Sequence, residues 1–357
     1  MESLIHLPLE PYGSRYTEFL ATWERQALGK HFTVRSVVPP RDGDTPVVMD
    51  IQTGSVLDAT QRPLWAMSQV RELLLSAHPD RQKVYCSDFY HPGLDALAYS
   101  RRRFSLSAFC WAQTFDRHDF TCLMQNWMRP WEVMAFELYD LVFVASPILK
   151  ELIVSALPHV EDKVRVVGLP YDSTHVRAQW SAQETPDEEF DVVYSSRWDT
   201  EKRPNFFLDL CELRDDLRFV VCTGNPDLKG NDTSAVQRAL RLEEQGKLTI
   251  RRHLKKARYF GHLSRSKVQF NCGMQDWVAF TLLDALTFGC QPLYPNHRSF
   301  PEALHYSEPN LYRPGSLPDA NAKLSRLLQG GAFIQSSAVL AEHDGSLNRI
   351  AQALKNL

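Results

Sequence analysis

The sequence lacks the features of a membrane protein, a repeat protein or a disordered protein. No apolar run in its 357 residues reaches the roughly 18 residues of a membrane-spanning helix. No charged and apolar leader opens the chain, so we expect a cytoplasmic protein without a membrane partner. Internal repeats and low-complexity tracts are also missing, which argues against a solenoid or a disordered linker. The length therefore predicts a globular protein with two domains.

Paired cysteines and metal-ligand patterns are missing as well. The seven cysteines are scattered, mostly in apolar runs, and have no paired spacing. The twelve histidines show no metal-ligand spacing either. We therefore expect reduced, buried thiols, no resident metal and no cofactor.

Neither sign of charge dominates the chain. The 40 Lys and Arg residues against 43 Asp and Glu residues give a formal net charge of −3. The 44% hydrophobic and 23% charged composition is typical of a soluble globular protein. Because neither half of the chain is a basic domain, any contact with nucleic acid would depend on local patches.

Strand and helix patterns alternate along the chain, which predicts an α/β protein. In the first half, a strand, a turn and a helix from about Arg15 are followed by a helix over residues 64–77. The predicted strands of this half cover residues 32–38, 46–51, 83–86 and 107–111.

A second α/β run follows the polar segment 179–189, which we interpret as a linker or surface loop. Its predicted elements are strands 190–195, 217–223 and 248–252 and helices 204–213 and 233–245. We therefore predict an N-terminal domain over residues 1–176 and a C-terminal domain over 190–340. Residues 341–357 are a C-terminal helix and a candidate for packing back on the N-terminal domain.

The stretch 267–304 has the densest pattern. It predicts a strand, a polar loop with Asp276, a helix over residues 280–288 with Asp284, and a strand over 291–294. Gly289 stands where a helix C-terminal cap is expected. The start of such a helix suits a phosphate, and a carboxylate just inside it can accept bonds from ribose hydroxyls. The alternative is two solvated acids around an ordinary strand–helix unit.

In the first half, polar residues follow two strands closely. Asp116 and His118 come soon after the strand 107–111, and Asp88 and His91 follow the strand 83–86. Ligands of open α/β sheets bind beyond the carboxyl ends of strands, so these segments favour a site. A purely structural role for His118 is an equally good interpretation.

Two motifs resemble one family. The segment 191–207, DVVYSSRWDTEKRPNFF, is similar to the strand–loop of GT-B nucleotide-sugar glycosyltransferases, where an Arg and a Lys bind the donor diphosphate. Arg197 and Lys202 match that pair. Asp276 and Asp284 match the family's two acids eight positions apart, which are usually Glu. The similarity is greatest to the retaining enzymes of family 4.

The resemblance implies a fold of two Rossmann-like domains facing each other across a cleft. It implies that Arg197 and Lys202 stabilise the leaving diphosphate without a metal, that Asp284 holds the ribose, and that Asp276 holds the sugar. Asp116 and His118 become candidates for holding the sugar or the charge of the transition state. The donor site would be completed by Gly224, Ala279, Phe280 and Thr281.

The resemblance also bears on the acceptor. Segments of the first half look similar to phage-encoded glycosyltransferases that decorate hydroxymethylated pyrimidines in DNA, and the central motif resembles an enzyme that mannosylates queuosine in tRNA. The run Arg101–Arg103 is a candidate track for a polyanionic strand, with residues 251–258 as a second basic cluster. A lipid or polysaccharide acceptor and a non-catalytic binding module are the alternatives. Candidate aromatics for stacking a base, or for an ordinary core, are Trp111, Phe115, Phe120, Trp127 and Trp131.

Overall fold

The structure is a computed structural model that describes residues 1–10, 16–40, 61–76, 81–100, 104–180, 187–330 and 334–357. The chain forms two compact units: the first contains Met1–Tyr171 and Gly345–Leu357, and the second contains Asp172–Asp344. Each unit is built on a parallel sheet, which confirms the predicted α/β class with two Rossmann-like domains. The predicted strand 46–51 and the run Arg101–Arg103 lie outside the described residues.

The first sheet has the strand order β2-β1-β3-β4-β5-β6, and every neighbouring pair is parallel. The order changes direction between β1 and β3, which makes that position the switch point of the sheet. Its strands are β1 (Ser3–Leu7), β2 (Thr33–Ser36), β3 (Gln82–Cys86), β4 (Phe104–Cys110), β5 (Leu141–Val144) and β6 (Val164–Val166). Its first five helices are α1 (Thr17–Gly29), α2 (Gln61–Leu75), α3 (Leu94–Tyr99), α4 (Gln125–Leu138) and α5 (Pro147–Ala156).

The second sheet has the order β12-β11-β10-β7-β8-β9, again with parallel pairs only. The chain builds outward from β7 and then returns to the centre for β10, as in Rossmann folds. Its strands are β7 (Phe190–Tyr194), β8 (Phe219–Cys222), β9 (Thr249–Arg251), β10 (Ser266–Phe270), β11 (Gln291–Pro295) and β12 (Leu311–Tyr312).

The helices of the second unit follow their sequence signals closely. Pro204 at the first position of α7 cannot donate a backbone bond, so it begins the helix where the sequence predicts. At the end of α10, Gly289 has φ +77° and Cys290 N donates to Ala285 O at 2.9 Å, which forms the predicted glycine cap. The helices are α6 (Ser173–Gln179), α7 (Pro204–Leu213), α8 (Thr233–Glu244), α9 (Lys256–Ser264), α10 (Phe280–Thr287), α11 (Phe300–Ala303), α12 (Leu317–Leu328) and α13 (Ser336–Asp344).

A stack of aromatic rings fills the core of the second unit. The rings of Phe206 and Tyr312 lie 5.7 Å apart and those of Phe206 and Phe270 lie 6.2 Å apart, all nearly parallel. These rings come from α7, β10 and β12, so the stack ties the helix after β7 to the opposite half of the sheet. The loop that leads from β7 into α7 is therefore attached to a rigid base.

The last segment of the chain belongs to the first unit. Helix α14 (Ser346–Lys355) buries Leu347, Ile350 and Leu354 and packs against α1. The Ser346 hydroxyl donates to the Gly168 carbonyl at 2.9 Å. The units divide after Tyr171 and Asp344, compared with the predicted limits at residues 176 and 340. Among the described residues, no helix is both long enough and apolar enough to span a membrane.

Candidate functional site

Two loops meet at the switch point of the second sheet. Residues 195–202 follow β7 and residues 271–279 follow β10, and these strands are parallel neighbours, so both loops leave the same edge. Met274 N donates to Glu201 O at 3.0 Å, and the Cys272 thiol donates to Lys202 O at 3.2 Å. The two loops therefore form one continuous surface where α/β folds bind their ligands.

Lys202 has a fixed position within that surface. Its side chain is only 9% exposed, and Nζ donates to Gln275 O at 2.8 Å and to Asp276 Oδ2 at 3.1 Å. A Cβ atom at Gly273 would lie 3.2 Å from Lys202 Cδ, which is tighter than ordinary contact, so the small residue leaves room for the lysine stem. The structure thus brings together two predicted site residues that are far apart in sequence.

Arg197 is held by two acids of its own loop. Nη1 donates to Asp199 Oδ2 at 2.6 Å, and Nη2 donates to Glu201 Oε1 at 2.5 Å. Asp199 is itself anchored, because its other oxygen accepts from Asn231 N at 3.0 Å. The guanidinium therefore has a defined orientation although its side chain is 41% exposed. The sequence interpretation missed both acids, which the pattern RWDTEK displays between the two predicted cations.

The two acids of the predicted pair differ in accessibility. The Asp276 side chain is 34% exposed, and its backbone carbonyl accepts a bond from the buried Ser299 hydroxyl. Asp284 lies inside α10 and is fully buried. Burial raises the pKa of nearby Tyr259, and the charge of Asp284 adds to that rise. Asp284 presents no surface to a ribose in this structure, so its ribose contact stays a prediction.

The remaining predicted donor residues lie at the same edge of the sheet. Ala279 is the N-cap residue of α10 and has no side-chain oxygen to cap the helix, and Phe280 and Thr281 form its first turn. The Thr281 hydroxyl lies 3.4 Å from the Tyr294 hydroxyl. Gly224 is exposed just after β8, and a Cβ atom there would lie 3.5 Å from Leu254 O. The free backbone N–H groups at the start of α10 suit an anion. Binding of the donor phosphate by these residues remains a prediction.

Asp116 and His118 lie in the first unit, in the loop after β4. Asp116 is fully buried, and its Oδ1 accepts from His118 N at 3.0 Å. His118 Nε2 accepts from Arg117 Nε at 3.2 Å. The structure therefore places these two predicted residues in one turn, in a different unit from Arg197.

Glu132, which the sequence interpretation missed, holds that loop in place. This fully buried carboxylate of α4 accepts from Thr114 N at 2.6 Å and from the hydroxyls of Thr114 and Tyr90. Burial raises the pKa of Glu132, while these bonds and the charge of Arg129 oppose the rise. Its helical spacing from the buried Met128 and Phe136 was a signal for its burial.

A second buried network lies at the switch point of the first sheet. His6 Nε2 lies 3.0 Å from Glu24 Oε2 and 3.0 Å from the Ser87 hydroxyl. The hydroxyls of Tyr85 and Ser87 also donate to Glu24, at 2.9 Å and 2.6 Å. These groups join β1, α1 and the end of β3 through hydrogen bonds.

The candidate acceptor residues are only partly described. Trp127 is about half exposed on α4, whereas Trp111 Nε1 donates to Ser87 O at 2.6 Å and Phe115 packs under Arg129. In the second basic cluster, Arg251 and Arg252 pair with Glu188 and Glu243. The side chain of Phe120 and the whole of Arg101–Arg103 lie outside the described residues. Within the described ranges, no group of three or more His, Cys, Asp or Glu side chains could hold a metal ion.

Comparison with solved structures identifies the fold. Trehalose-6-phosphate synthase, solved in a study of glycosyltransfer with retention, superposes with a TM-score of 0.69 at 12% identity over 99% of each chain. The Anabaena protein HepE, solved with UDP-glucose, superposes with a TM-score of 0.65 at 11% identity over 100% of this chain and 99% of its own. The chain therefore has the GT-B fold.

Sequence comparison adds one curated relative. The tRNA-queuosine alpha-mannosyltransferase of Drosophila melanogaster is 24% identical over 164 residues, which are 43% of this chain. The match spans 42% of that relative's length. No protein-family model matches the chain.

Proposed function

We propose that the protein is a glycosyltransferase that moves a sugar from a nucleotide-diphosphate sugar to a hydroxyl acceptor. The observation that carries the proposal is the contact between Lys202 and Asp276 at the switch point of the second sheet, with Arg197 on the same loop as Lys202 and Asp276 just before the start of α10. Fixed cations and a helix N-terminus at such an edge suit a diphosphate. The solved structure of HepE with UDP-glucose supports the same donor class.

The proposed reaction breaks the bond between the sugar's anomeric carbon and the donor phosphate oxygen. Negative charge grows on that oxygen, and Arg197 and Lys202 stabilise it without a metal. The acceptor oxygen forms the new bond on the same face of the sugar, so the configuration is retained, and its proton passes to the leaving phosphate oxygen. Asp276 holds the sugar hydroxyls. Asp284, which the resemblance assigns to the ribose, is buried inside α10 and would have to become accessible first. Asp116 and His118 are candidates for holding the sugar or the charge of the transition state.

We propose a modified nucleobase as the acceptor. The first candidate is a hydroxymethylated pyrimidine in DNA, because the first half of the chain resembles phage-encoded enzymes that glycosylate such bases. Queuosine in tRNA is the second candidate, because the curated relative is a tRNA-queuosine alpha-mannosyltransferase. Lipid and polysaccharide acceptors remain the alternatives outside nucleic acid.

The test is mass spectrometry of nucleosides after incubation with a panel of sugar nucleotides and either substrate nucleic acid. We expect one nucleoside to gain the mass of a sugar, and a Lys202→Ala variant to lose that product. Donor binding without transfer or hydrolysis on any acceptor, including lipid and polysaccharide, would identify a non-catalytic binding module instead. Failure to bind any sugar nucleotide would remove the proposal.

The run Arg101–Arg103 provides a test of the nucleic-acid acceptor. Each neutralised phosphate contact adds a counterion-release term, so binding should weaken steeply with salt. A triple Arg→Ala variant should bind hydroxymethylated DNA more weakly with a shallower salt slope, and its donor affinity should stay unchanged. Equal DNA affinity and slope in both proteins would exclude this run as the track and turn attention to residues 251–258.

A further inference from the structure

Both cations of the candidate donor site are already paired with carboxylates of the protein. Arg197 contacts Asp199 and Glu201, and Lys202 contacts Asp276. Arg203 follows Lys202 in sequence, but its Nη1 is directed at Met274 Sδ at 3.2 Å and its guanidinium lies over the ring of Phe206. An incoming diphosphate would therefore compete with carboxylates for the cations that bind it.

The three carboxylates are not equally easy to displace. Asp199 and Glu201 are only 9% and 15% exposed, and Asp199 also accepts a bond from Asn231 N. The Asp276 carboxylate is about one-third exposed, and the bond from Ser299 holds its backbone rather than its side chain. Rotation of this side chain would release Lys202 without moving the loop.

Lys202 would keep its place after such a rotation. The Gln275 carbonyl accepts from Nζ at 2.8 Å, and the stem is buried beside Gly273. The Asp276 carboxylate is the accessible member of this pair, so water can solvate it after the rotation. The buried Lys202 ammonium does not stay without an anionic partner, because the diphosphate takes the place of the carboxylate.

We propose that the Asp276 carboxylate is a built-in competitor for Lys202, which the donor diphosphate displaces and which returns as the nucleoside diphosphate leaves. The inference rests on the proposed function and adds a second role for Asp276 beside sugar contact. Its consequence is a site that binds the product diphosphate more weakly than its two cations alone would. Competition of this kind favours release of the product.

The test uses nucleoside diphosphates, because they carry no sugar and so separate the two roles of Asp276. We would measure the affinities of UDP, GDP, ADP and inorganic pyrophosphate by calorimetry for the wild type, Asp276→Asn, Lys202→Ala and the double variant. With the diphosphate that the wild type binds best, Asp276→Asn should bind about fivefold tighter or more, the lower range for coupled sites. In the Lys202→Ala background the same substitution should change affinity little, because the competed cation is gone.

Asp215→Asn is the matched control. It removes one negative charge from the same unit, but its carboxylate pairs with Lys247 on the surface rather than with a cation of the donor site. We expect no tightening in this variant. Thermal unfolding of every variant would establish that the substitutions leave the fold intact.

Equal tightening in Asp276→Asn and Asp215→Asn would assign the effect to net charge and overturn the inference. Unchanged or weaker binding in Asp276→Asn would also overturn it. If Lys202→Ala loses diphosphate binding in that case, Lys202 keeps its assignment to the donor site and only the competition by Asp276 is excluded. If no diphosphate binds the wild type, both the inference and the proposed function fail. Tightening that is confined to Asp276→Asn and depends on Lys202 would support it.

Discussion

The two sheets carry different kinds of chemistry at the carboxyl ends of their strands. In the first unit, buried carboxylates accept from neutral groups: Glu24 from Tyr85 and Ser87, and Glu132 from Thr114 and Tyr90. In the second unit, acids pair with cations: buried Asp199 pairs with the partly exposed Arg197, and the partly exposed Asp276 pairs with Lys202. A buried, fully bonded network holds a loop in one arrangement, whereas an ion pair with one accessible member is a candidate for exchange with a charged ligand. The comparison predicts that the first edge supports loops and that the second exchanges ligands.

The largest effect should come from the cations of the second edge. Replacing Arg197 or Lys202 with Ala should lower turnover by roughly 10² or more, the range for loss of one group that stabilises transition-state charge. Lys247→Ala is a control, since that lysine pairs with Asp215 on the surface. Near-normal turnover of folded Arg197→Ala and Lys202→Ala proteins would contradict the assignment of these residues to the donor site.

Replacing Glu132 tests whether its hydrogen bonds stabilise the first unit. Glu132→Ala leaves the hydroxyls of Tyr90 and Thr114 without their buried acceptor, and should lower the free energy of unfolding by about 2 kcal/mol or more. Glu132→Gln is its control, since an amide can accept from Tyr90 and Thr114 N and donate to the Thr114 hydroxyl. Denaturant unfolding measures both. Equal stability of the Ala and Gln variants would mean that the network does not hold the loop.

His262 gives the second unit a sensitivity to acid. Its ring is buried on α9, and burial, with Arg251 and Arg258 nearby, lowers its pKa from 6.5 to about 4. The neutral form is therefore favoured by folding, and this stability is present above pH 6.5 and lost as pH falls through about 4. Between pH 7 and 4, the wild type should lose roughly 3 kcal/mol more than a His262→Phe variant.

Hydrogen exchange resolved by segment measures this loss, because it separates the second unit from the first. The extra exchange of the wild type at low pH should be confined to Asp172–Asp344. Identical pH dependence in the variant would show that folding does not lower the pKa of His262.

Metal removal should have the smallest effect. If Arg197 and Lys202 alone stabilise the leaving diphosphate, activity should persist in excess EDTA. Rates measured with and without the chelator test this expectation. Activity that disappears and returns with magnesium or manganese would mean that the paired cations are not sufficient.

Local signals in the sequence predicted the elements of the second unit well. Helix α7 begins at Pro204 and ends at Leu213 as expected, and Gly289 ends α10. These boundaries depend on the conformational limits of proline and glycine, which act within a few residues. Lys202 and Asp276 were both assigned to one site by resemblance, and the structure puts them in contact.

The partners of buried acids could not be read from the sequence. Glu24 in the helical segment TWERQ looks like a solvated residue, yet it is buried against His6 and Tyr85 from two strands. Those contacts depend on how β1 and β3 come together, and no local pattern encodes that pairing. The burial of Asp284 likewise depends on packing around α10 rather than on its spacing from Asp276.

The route of the chain has a consequence for the order of folding. The first unit is completed by α14, which follows the whole of Asp172–Asp344. Closing so long a loop in an unfolded chain has an entropic cost that slows folding. Ser173 N and its hydroxyl donate to Asp344, at 2.7 Å and 2.5 Å, so the two ends of the second unit are fastened together once it folds. Folding of the second unit therefore shortens the search of α14 for its place on α1, and we expect the first unit to be completed last.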